Sequence, residues 1–258
     1  MSIEVENVIK RFVTRGQEVL ALDRVDLNIR QGEFVAFVGP SGCGKSTLLN
    51  MIAGILAPSD GAIIHDGQKV DGINRRVGYM TQTDSLLPWR SVMRNVLLPL
   101  ELQHVARGEA QDRARALLEK VHLSGFADHF PVELSGGMRK RVAIAQVLVY
   151  DPGTLLMDEP FGALDAQLKL VMQAELMRIW EETGKTVVFV THDLAEAIAL
   201  AQRVVVFSGR PGRIKHIAEI DIPHPRDAFQ VRFSPAFQKH YEALWAELAP
   251  EITRGEAV

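Results

Sequence analysis

Two hydrophobic rhythms run along the chain. Near the N-terminus Val25, Leu27 and Ile29 alternate with Asp26, Asn28 and Arg30, the period of two that predicts a strand with one buried face. Together with residues 3–8 this predicts a small antiparallel sheet. Asp66-Gly67 reads as a turn after Ala62-Ile63-Ile64, and Val77-Gly78-Tyr79-Met80 predicts another short strand leading to Gln82. Elsewhere the apolar runs do not alternate: Phe34-Val35-Ala36-Phe37-Val38, Thr154-Leu155-Leu156-Met157-Asp158, Thr186-Val187-Val188-Phe189-Val190 and Arg203-Val204-Val205-Val206-Phe207. The last three are separated by helical patterns around 166–183 and 194–201, which predicts parallel strands buried on both faces.

From residue 84 to residue 150 the pattern turns helical. Helices are expected over 91–102 and 109–122, the latter with Ala114, Leu117, Leu118 and Val121 on one face. This segment is read as an inserted helical subdomain between two parts of a core, approximately 1–83 and 151–222. Residues 209–212 form a turn, 214–222 an edge strand or extended return, and 223–258 a short tail. The tail's helical pattern is Phe237, Tyr241, Leu244, Trp245 and Leu248. The expected fold class is α/β: a core with a mainly parallel sheet, an N-terminal antiparallel β subdomain and the helical insertion. No internal repeat or long linker interrupts it.

Chemistry enters at Gly39-Pro40-Ser41-Gly42-Cys43-Gly44-Lys45-Ser46-Thr47, which fits G-x-x-x-x-G-K-[S/T] and follows an apolar run. A strand that ends in glycines and turns into a helix aims backbone N–H groups at one point, where the positive end of the helix also lies. The expected ligand is the phosphate tail of a nucleotide. Glycine is needed where a Cβ would block the phosphate oxygens and where φ is positive. Lys45 would reach the β- and γ-phosphates, and the Ser46 hydroxyl would take a place on Mg²⁺. Asp158 and Glu159 end a buried apolar run, at the carboxyl edge of the sheet where ligands bind in such folds. Asp158 suits the metal, through water, and Glu159 suits the attacking water.

Charge and composition narrow the partners. A net charge of −3, from 29 basic and 32 acidic residues, carries no footprint of a dedicated nucleic-acid binder. The single cysteine, Cys43, is expected to be a small filler in the loop rather than a nucleophile, and suits a reducing cytosol. Residues 1–10 lack the pattern of a signal peptide, so no export is expected. The apolar stretches are far shorter than the ~20 residues that cross a bilayer, so membrane association would run through a partner.

With these residues in hand the sequence resembles the ATP-binding-cassette (ABC) ATPases over nearly its whole length, as a single domain of residues 1–258. Leu134-Ser135-Gly136-Gly137 resembles the family's signature, Gln82 its Q-loop glutamine, Ala163-Leu164-Asp165 its D-loop and Thr191-His192-Asp193 its switch histidine. The resemblance implies ATP and Mg²⁺ as cofactors, with Gln82 joining Ser46 and Asp158 near the metal. It also implies catalytic roles for Glu159, His192 and Gln82, His192 contacting the γ-phosphate. Ser135, Gly136 and Gly137 open a second helix whose N-terminus favours an anion. In the family this signature covers the ATP held by the opposite cassette, so a head-to-tail dimer with shared sites is implied. Met138 stands where glutamine is usual, outside the phosphate-contacting part. Arg139-Lys140-Arg141 is expected to be a solvated or interface face of that helix. Phe12 occupies the place where the family stacks an aromatic on adenine, although a core phenylalanine fits the sequence as well. The other histidines (His65, His104, His122, His129, His216, His224 and His240) lack metal-ligand spacing.

Leu86-Leu87-Pro88-Trp89-Arg90 is an apolar cluster in a segment that otherwise reads as a surface turn, and such clusters mark interfaces. The alternative is packing inside the helical subdomain. In the family, the 82–90 region receives a transmembrane permease subunit. Leu-Leu-Pro-Trp-Arg, Leu-Ser-Gly-Gly-Met-Arg and Gly-Arg-Pro-Gly-Arg-Ile are similar to the nitrate, sulfonate and taurine branch of bacterial importers. That implies an extracytoplasmic solute-binding protein, a small and often anionic solute, and a peripheral location on the cytoplasmic face of the inner membrane. Two other readings are weighed. A soluble ABC ATPase of repair or translation would need a long coiled-coil insertion or a tandem cassette, and a non-hydrolysing regulatory module would not need Glu159 and His192.

Overall fold

The computed structural model describes residues 2–14, 16–83 and 85–255. Strands β1 (Ser2–Thr14) and β2 (Gln17–Arg30) form an antiparallel pair. The alternation in β2 does what its period requires: Val25, Leu27 and Ile29 are buried while Asp26, Asn28 and Arg30 face solvent. Strand β3 (Phe34–Val38) leads through the glycine-rich loop into helix α1 (Lys45–Ile52). Strands β4 (Asp60–His65) and β5 (Gln68–Lys69), joined at Asp66-Gly67, complete a four-stranded antiparallel sheet of order β2-β1-β4-β5. Strand β6 (Val77–Met80) does not join that sheet. It pairs in parallel with β7 (Thr154–Asp158), which brings the segment after Met80 to the edge where Asp158 sits.

Between β6 and β7 lie α2 (Val92–Leu102), α3 (Arg107–Lys120) and α4 (Gly136–Leu148). Ser91 caps α2 by accepting a hydrogen bond from the Arg94 N–H. Helix α3 starts two residues before the expected 109 and stops at Lys120, because His122 takes φ +55°. Of its expected apolar face, Ala114, Leu118 and Val121 are buried and Leu117 is partly covered.

The remaining elements are α5 (Ala166–Thr183), β8 (Thr186–Val190), α6 (Leu194–Leu200), β9 (Arg203–Phe207), β10 (Ile214–Glu219) and α7 (Pro235–Gly255). The second sheet has the order β10-β9-β3-β8-β7-β6, parallel except for the antiparallel edge strand β10. All residues of β3, β7, β8 and β9 are buried. Their side chains alternate between two cores. Phe34, Leu155, Met157, Val187 and Phe189 meet the helices α4 to α6, whereas Val35, Phe37, Leu156, Val188 and Phe207 meet α1 and the antiparallel sheet. Each fully buried phenylalanine in these layers stabilises the fold by about 1.5–3 kcal/mol. The C-terminal helix runs further than its sequence pattern, and only part of that pattern is core: Phe237, Leu244 and Leu248 are buried, while Tyr241 and Trp245 lie at the surface. Among the described residues no helix is long and apolar enough to cross a membrane.

Candidate functional site

Residues 39–44 join β3 to α1 through a backbone with positive φ at Gly39, Gly42 and Gly44. At Gly44, φ is +102° and a Cβ would stand 2.5 Å from Leu22 Cδ2, so both conformation and space demand glycine. Helix α1 has no acidic residue in its first turn and no side-chain cap, which leaves its first amides for an anion. Lys45 is buried, and its ammonium donates to the carbonyls of Gly39 (2.8 Å) and Pro40 (2.9 Å). Cys43 is buried beneath the loop, with its Sγ 3.5 Å from that ammonium. Ser41 and Gly42 lie at the exposed mouth, and Thr47 is partly buried on the first turn.

Strand β8 separates β3 from β7, so the loops leaving their carboxyl ends converge. Asp158 closes β7 at 2 % exposure and is hydrogen-bonded to Ser46. Burial raises its pKa, the bond to Ser46 opposes that, the charge of Glu159 adds to it, and the charges of Lys45 and Lys140 oppose it. Asp158 Oδ1 is buried with no hydrogen-bond partner. A bare carboxylate oxygen beside a serine hydroxyl fits a hard divalent cation such as Mg²⁺, which prefers oxygen ligands and retains water. No cluster of three or more His, Cys, Asp or Glu suited to a metal occurs among the described residues, so such an ion would depend on phosphate oxygens for further ligands.

That orphaned oxygen carries a stability cost. Asp158→Asn is expected to raise the midpoint of thermal unfolding by about 2–6 °C at pH 7 without nucleotide or metal, and to lose hydrolysis. The sign follows from the raised pKa. The penalty is absent while the acid is protonated in both folded and unfolded chains, and complete above the folded value. The advantage of the variant therefore fades as pH falls through the carboxylate range. Unchanged midpoints across that range would refute the assignment.

Glu159 follows in a left-handed conformation, φ +48°, which costs a residue with a Cβ about 1–3 kcal/mol. Its N–H donates to the Val190 carbonyl (3.0 Å), and its carbonyl accepts from Gly162 N–H (3.3 Å). The backbone thus turns the side chain toward the next loop, where Glu159 Oε2 lies 3.3 Å from His192 Nδ1. The loop bearing His192 is pinned on both sides: Thr191 N–H donates to Phe37 O, and Asp193 caps α6 by accepting from Ala195 and Glu196 amides. The imidazole itself stands out at 66 % exposure.

The signature lies elsewhere. Ser135 is exposed and caps α4, accepting from Met138 N–H at 3.2 Å. A Cβ on Gly137 would come within 3.4 Å of the Ala163 carbonyl and 3.2 Å of Leu164, so residues 163–165 pack against the signature of their own chain. Asp165 is exposed and caps α5 through Leu168 N–H.

The basic run after Met138 is not a solvated face. Lys140 is buried, and its ammonium donates to the carbonyls of Thr81 and Gln82; Arg139 donates to Leu134 O, and Arg141 to Val121 O and His122 O. Helix α4 is apolar on nearly every side from Val142 to Leu148, and that crowding was the one sequence signal that a neighbouring lysine would have to reach inward. Gln82 is exposed, with its backbone tied to α4 through Lys140.

Phe12 is not a core residue. It stands on the outer end of β1 at 37 % exposure, with Lys10 Nζ 5.2 Å from its ring centroid. The 86–90 cluster divides: Leu86 is buried, whereas Trp89 is 71 % exposed. Buried Asn95 fixes this loop, accepting from Leu87 N–H and donating to the carbonyls of Leu87, Arg90 and Ser91. Beside it opens a cleft of about 580 Å³ lined by Arg90, Met93, Arg94, Leu97 and Glu101.

A phosphate-type loop after β3 and an acidic pair at the end of β7, with a histidine just after β8, the parallel strand between them, define a P-loop nucleoside triphosphatase. The chain belongs to the ABC transporter family, whose profile matches residues 22–162. It is an ATP-binding subunit and an ATPase of that family. The taurine import ATP-binding protein TauB of Rhizobium johnstonii is 47 % identical, with 95 % of this chain and 96 % of the relative covered. The aliphatic sulfonates import ATP-binding protein SsuB of Bacillus cereus is 40 % identical over 93 % of this chain and 92 % of the relative. A dimeric ATP-binding cassette solved in a post-hydrolysis state with ADP and Pi superimposes with a TM-score of 0.80 at 34 % identity, covering 86 % of this chain and all of that one.

Proposed function

We propose that this chain is the ATP-hydrolysing subunit of an importer for a small anionic solute of the nitrate, sulfonate or taurine kind, and that ATP-driven closure of two copies powers uptake. The observation that carries the dimer is the placement of the signature. Ser135, the cap of α4, is exposed, and Gly137 rests on Ala163 and Leu164 of its own chain, so this solvent-facing helix N-terminus is available to the phosphate loop of a second copy. A dimeric structural relative with ADP and Pi supports that arrangement, and the import subunits among the sequence relatives support the direction of transport.

In this reading residues 39–47 cradle the triphosphate, with Lys45 beside the transferred group. Ser46, Asp158 and Gln82 would hold Mg²⁺, which would supply positive charge to offset the charge of the transferred phosphate. Glu159 orients and accepts a proton from water, and His192, held by the Glu159 carboxylate, contacts the γ-phosphate. Phe12 offers its outward ring to adenine. Asp165 lies where the second copy would close. Residues 1–83 and 151–222 act as the nucleotide-binding core, 84–150 as the helical subdomain and 223–258 as the tail. The complex would include an extracytoplasmic solute-binding protein and place this subunit on the cytoplasmic face of the inner membrane.

Trp89 and the neighbouring cleft form the expected seat for the permease. A tryptophan 71 % exposed in the free chain has little to lose on folding but much apolar area to bury on docking. Trp89→Ala is therefore expected to weaken copurification with the permease by about tenfold or more, with the unfolding midpoint unchanged. Full recovery of the complex by that variant would remove this surface from the proposal.

A further inference from the structure

We propose that the C-terminal helix tunes ATP affinity through Glu251, which holds the 209–212 turn against the phosphate loop; the proposal rests on reading residues 39–47 as the ATP site.

The chain of contacts is continuous. Glu251 lies near the end of α7, only 6 % exposed. One carboxylate oxygen accepts from the Gly209 N–H at 3.0 Å, and the other lies 3.2 Å from Lys215 Nζ. Lys215 also donates to the Glu247 carbonyl, so β10 is tied to α7 on both sides of that carboxylate. The turn is closed internally by Ser208, whose N–H donates to Arg213 O and whose hydroxyl accepts from Arg213 N–H. A pull on Gly209 is therefore carried to the tip.

The tip touches the loop directly. The Arg210 guanidinium donates to the Gly42 carbonyl at 3.4 Å. Gly212 approaches so closely that a Cβ there would stand 1.9 Å from the Cys43 carbonyl oxygen. Its N–H donates to Ala21 O, and its carbonyl accepts from Asp23 N–H, which locks the tip to β2 on either side of Leu22. The Leu22 side chain in turn fills the space beside Gly44. Two carbonyls of the phosphate loop and the side chain that backs its last glycine are thus seated on one turn, and that turn hangs from Glu251.

Arg210 bonded to the Gly42 carbonyl and Gly212 packed close to that of Cys43 limit how far these peptides of the phosphate loop can rotate, which preorganises the loop for an anion. Loosening the turn leaves every phosphate contact in place chemically but adds freedom that ATP must remove on binding, which raises the dissociation constant and leaves the chemical step alone. Glu251 is a positioning residue: it acts through Gly209 and Lys215.

The test uses the full chain with ATP as the probe, measuring equilibrium binding without turnover and steady-state hydrolysis. Glu251→Ala is expected to raise the dissociation constant and the KM for ATP by about three- to tenfold, with kcat within about twofold. Glu251→Gln keeps an acceptor for the Gly209 N–H and is expected to bind within about twofold of the unaltered chain. Arg210→Ala enters the relay from its exposed end, so it reports even if loss of Glu251 prevents folding, and it should give the same split. Unaltered ATP affinity in Arg210→Ala, a loss of kcat at constant KM, or a Glu251→Gln defect as large as that of alanine would overturn the proposal. Lys45→Ala serves as the reference: if it binds ATP normally, the site reading itself fails, whereas normal affinity confined to the Glu251 and Arg210 variants defeats only the relay.

Discussion

Glu159→Gln is expected to stop ATP turnover, by about a hundredfold to ten-thousandfold, while leaving ATP binding intact and letting a nucleotide-bound dimer accumulate. The carboxylate is aimed by main chain rather than by its own contacts: a left-handed φ of +48°, an N–H donated to Val190 and a carbonyl bonded to Gly162 all survive the change to an amide. Glutamine has the same shape and cannot take the proton from water. The carboxylate's ion-pair partner, His192 at 3.3 Å, is exposed and lies on a different loop from residues 39–47. Steady-state hydrolysis, nucleotide binding and size-exclusion chromatography with ATP check the three parts separately. Undiminished hydrolysis would take the water-activating role away from Glu159.

Lys45→Ala is expected to remove hydrolysis just as completely, but by a different route. The ammonium is buried at the base of the loop, bonded to the carbonyls of Gly39 and Pro40. It is therefore a preorganised cation beside the transferred phosphate, and losing one such group costs a factor of about 10²–10³. ATP should bind weakly or out of place, in contrast to Glu159→Gln. The same variant also tests the shared site. Mixed with Ser135→Ala chains, it forms heterodimers with one doubly damaged site and one built from an intact loop and an intact signature, so the mixture should show hydrolysis that neither parent shows. If the mixture instead hydrolysed no more ATP than the two parents, the head-to-tail arrangement would be wrong.

Much of this was legible without coordinates, for reasons that differ from element to element. Residues 39–47 are read from glycine spacing because the constraint is local: positive φ and close approach act within one loop. Asp158 and Glu159 are legible because an unalternating apolar run ending in acids can only be a buried strand meeting a polar edge. The branch to which β6 belongs was not legible. Val77 to Met80 has strand composition, but pairing with β7 rather than with the antiparallel sheet is decided across more than the intervening helices. The inward turn of the basic run at residues 139–141 is hidden for a related reason, since helical spacing reports which face a residue occupies and not whether a long side chain bends inward to a carbonyl.

By itself, then, the sequence determined the backbone events: where strands are buried, where a loop needs glycine, which helices begin with a free or capped N-terminus. These are set by sterics and periodicity among near neighbours. The tertiary structure alone decided which polar groups meet: Lys140 under Gln82, Glu159 on His192, Arg210 on Gly42 and Glu251 on Gly209. Such partners lie far apart along the chain, and a flexible charged side chain takes whichever carbonyl or carboxylate the folded sheets bring within reach.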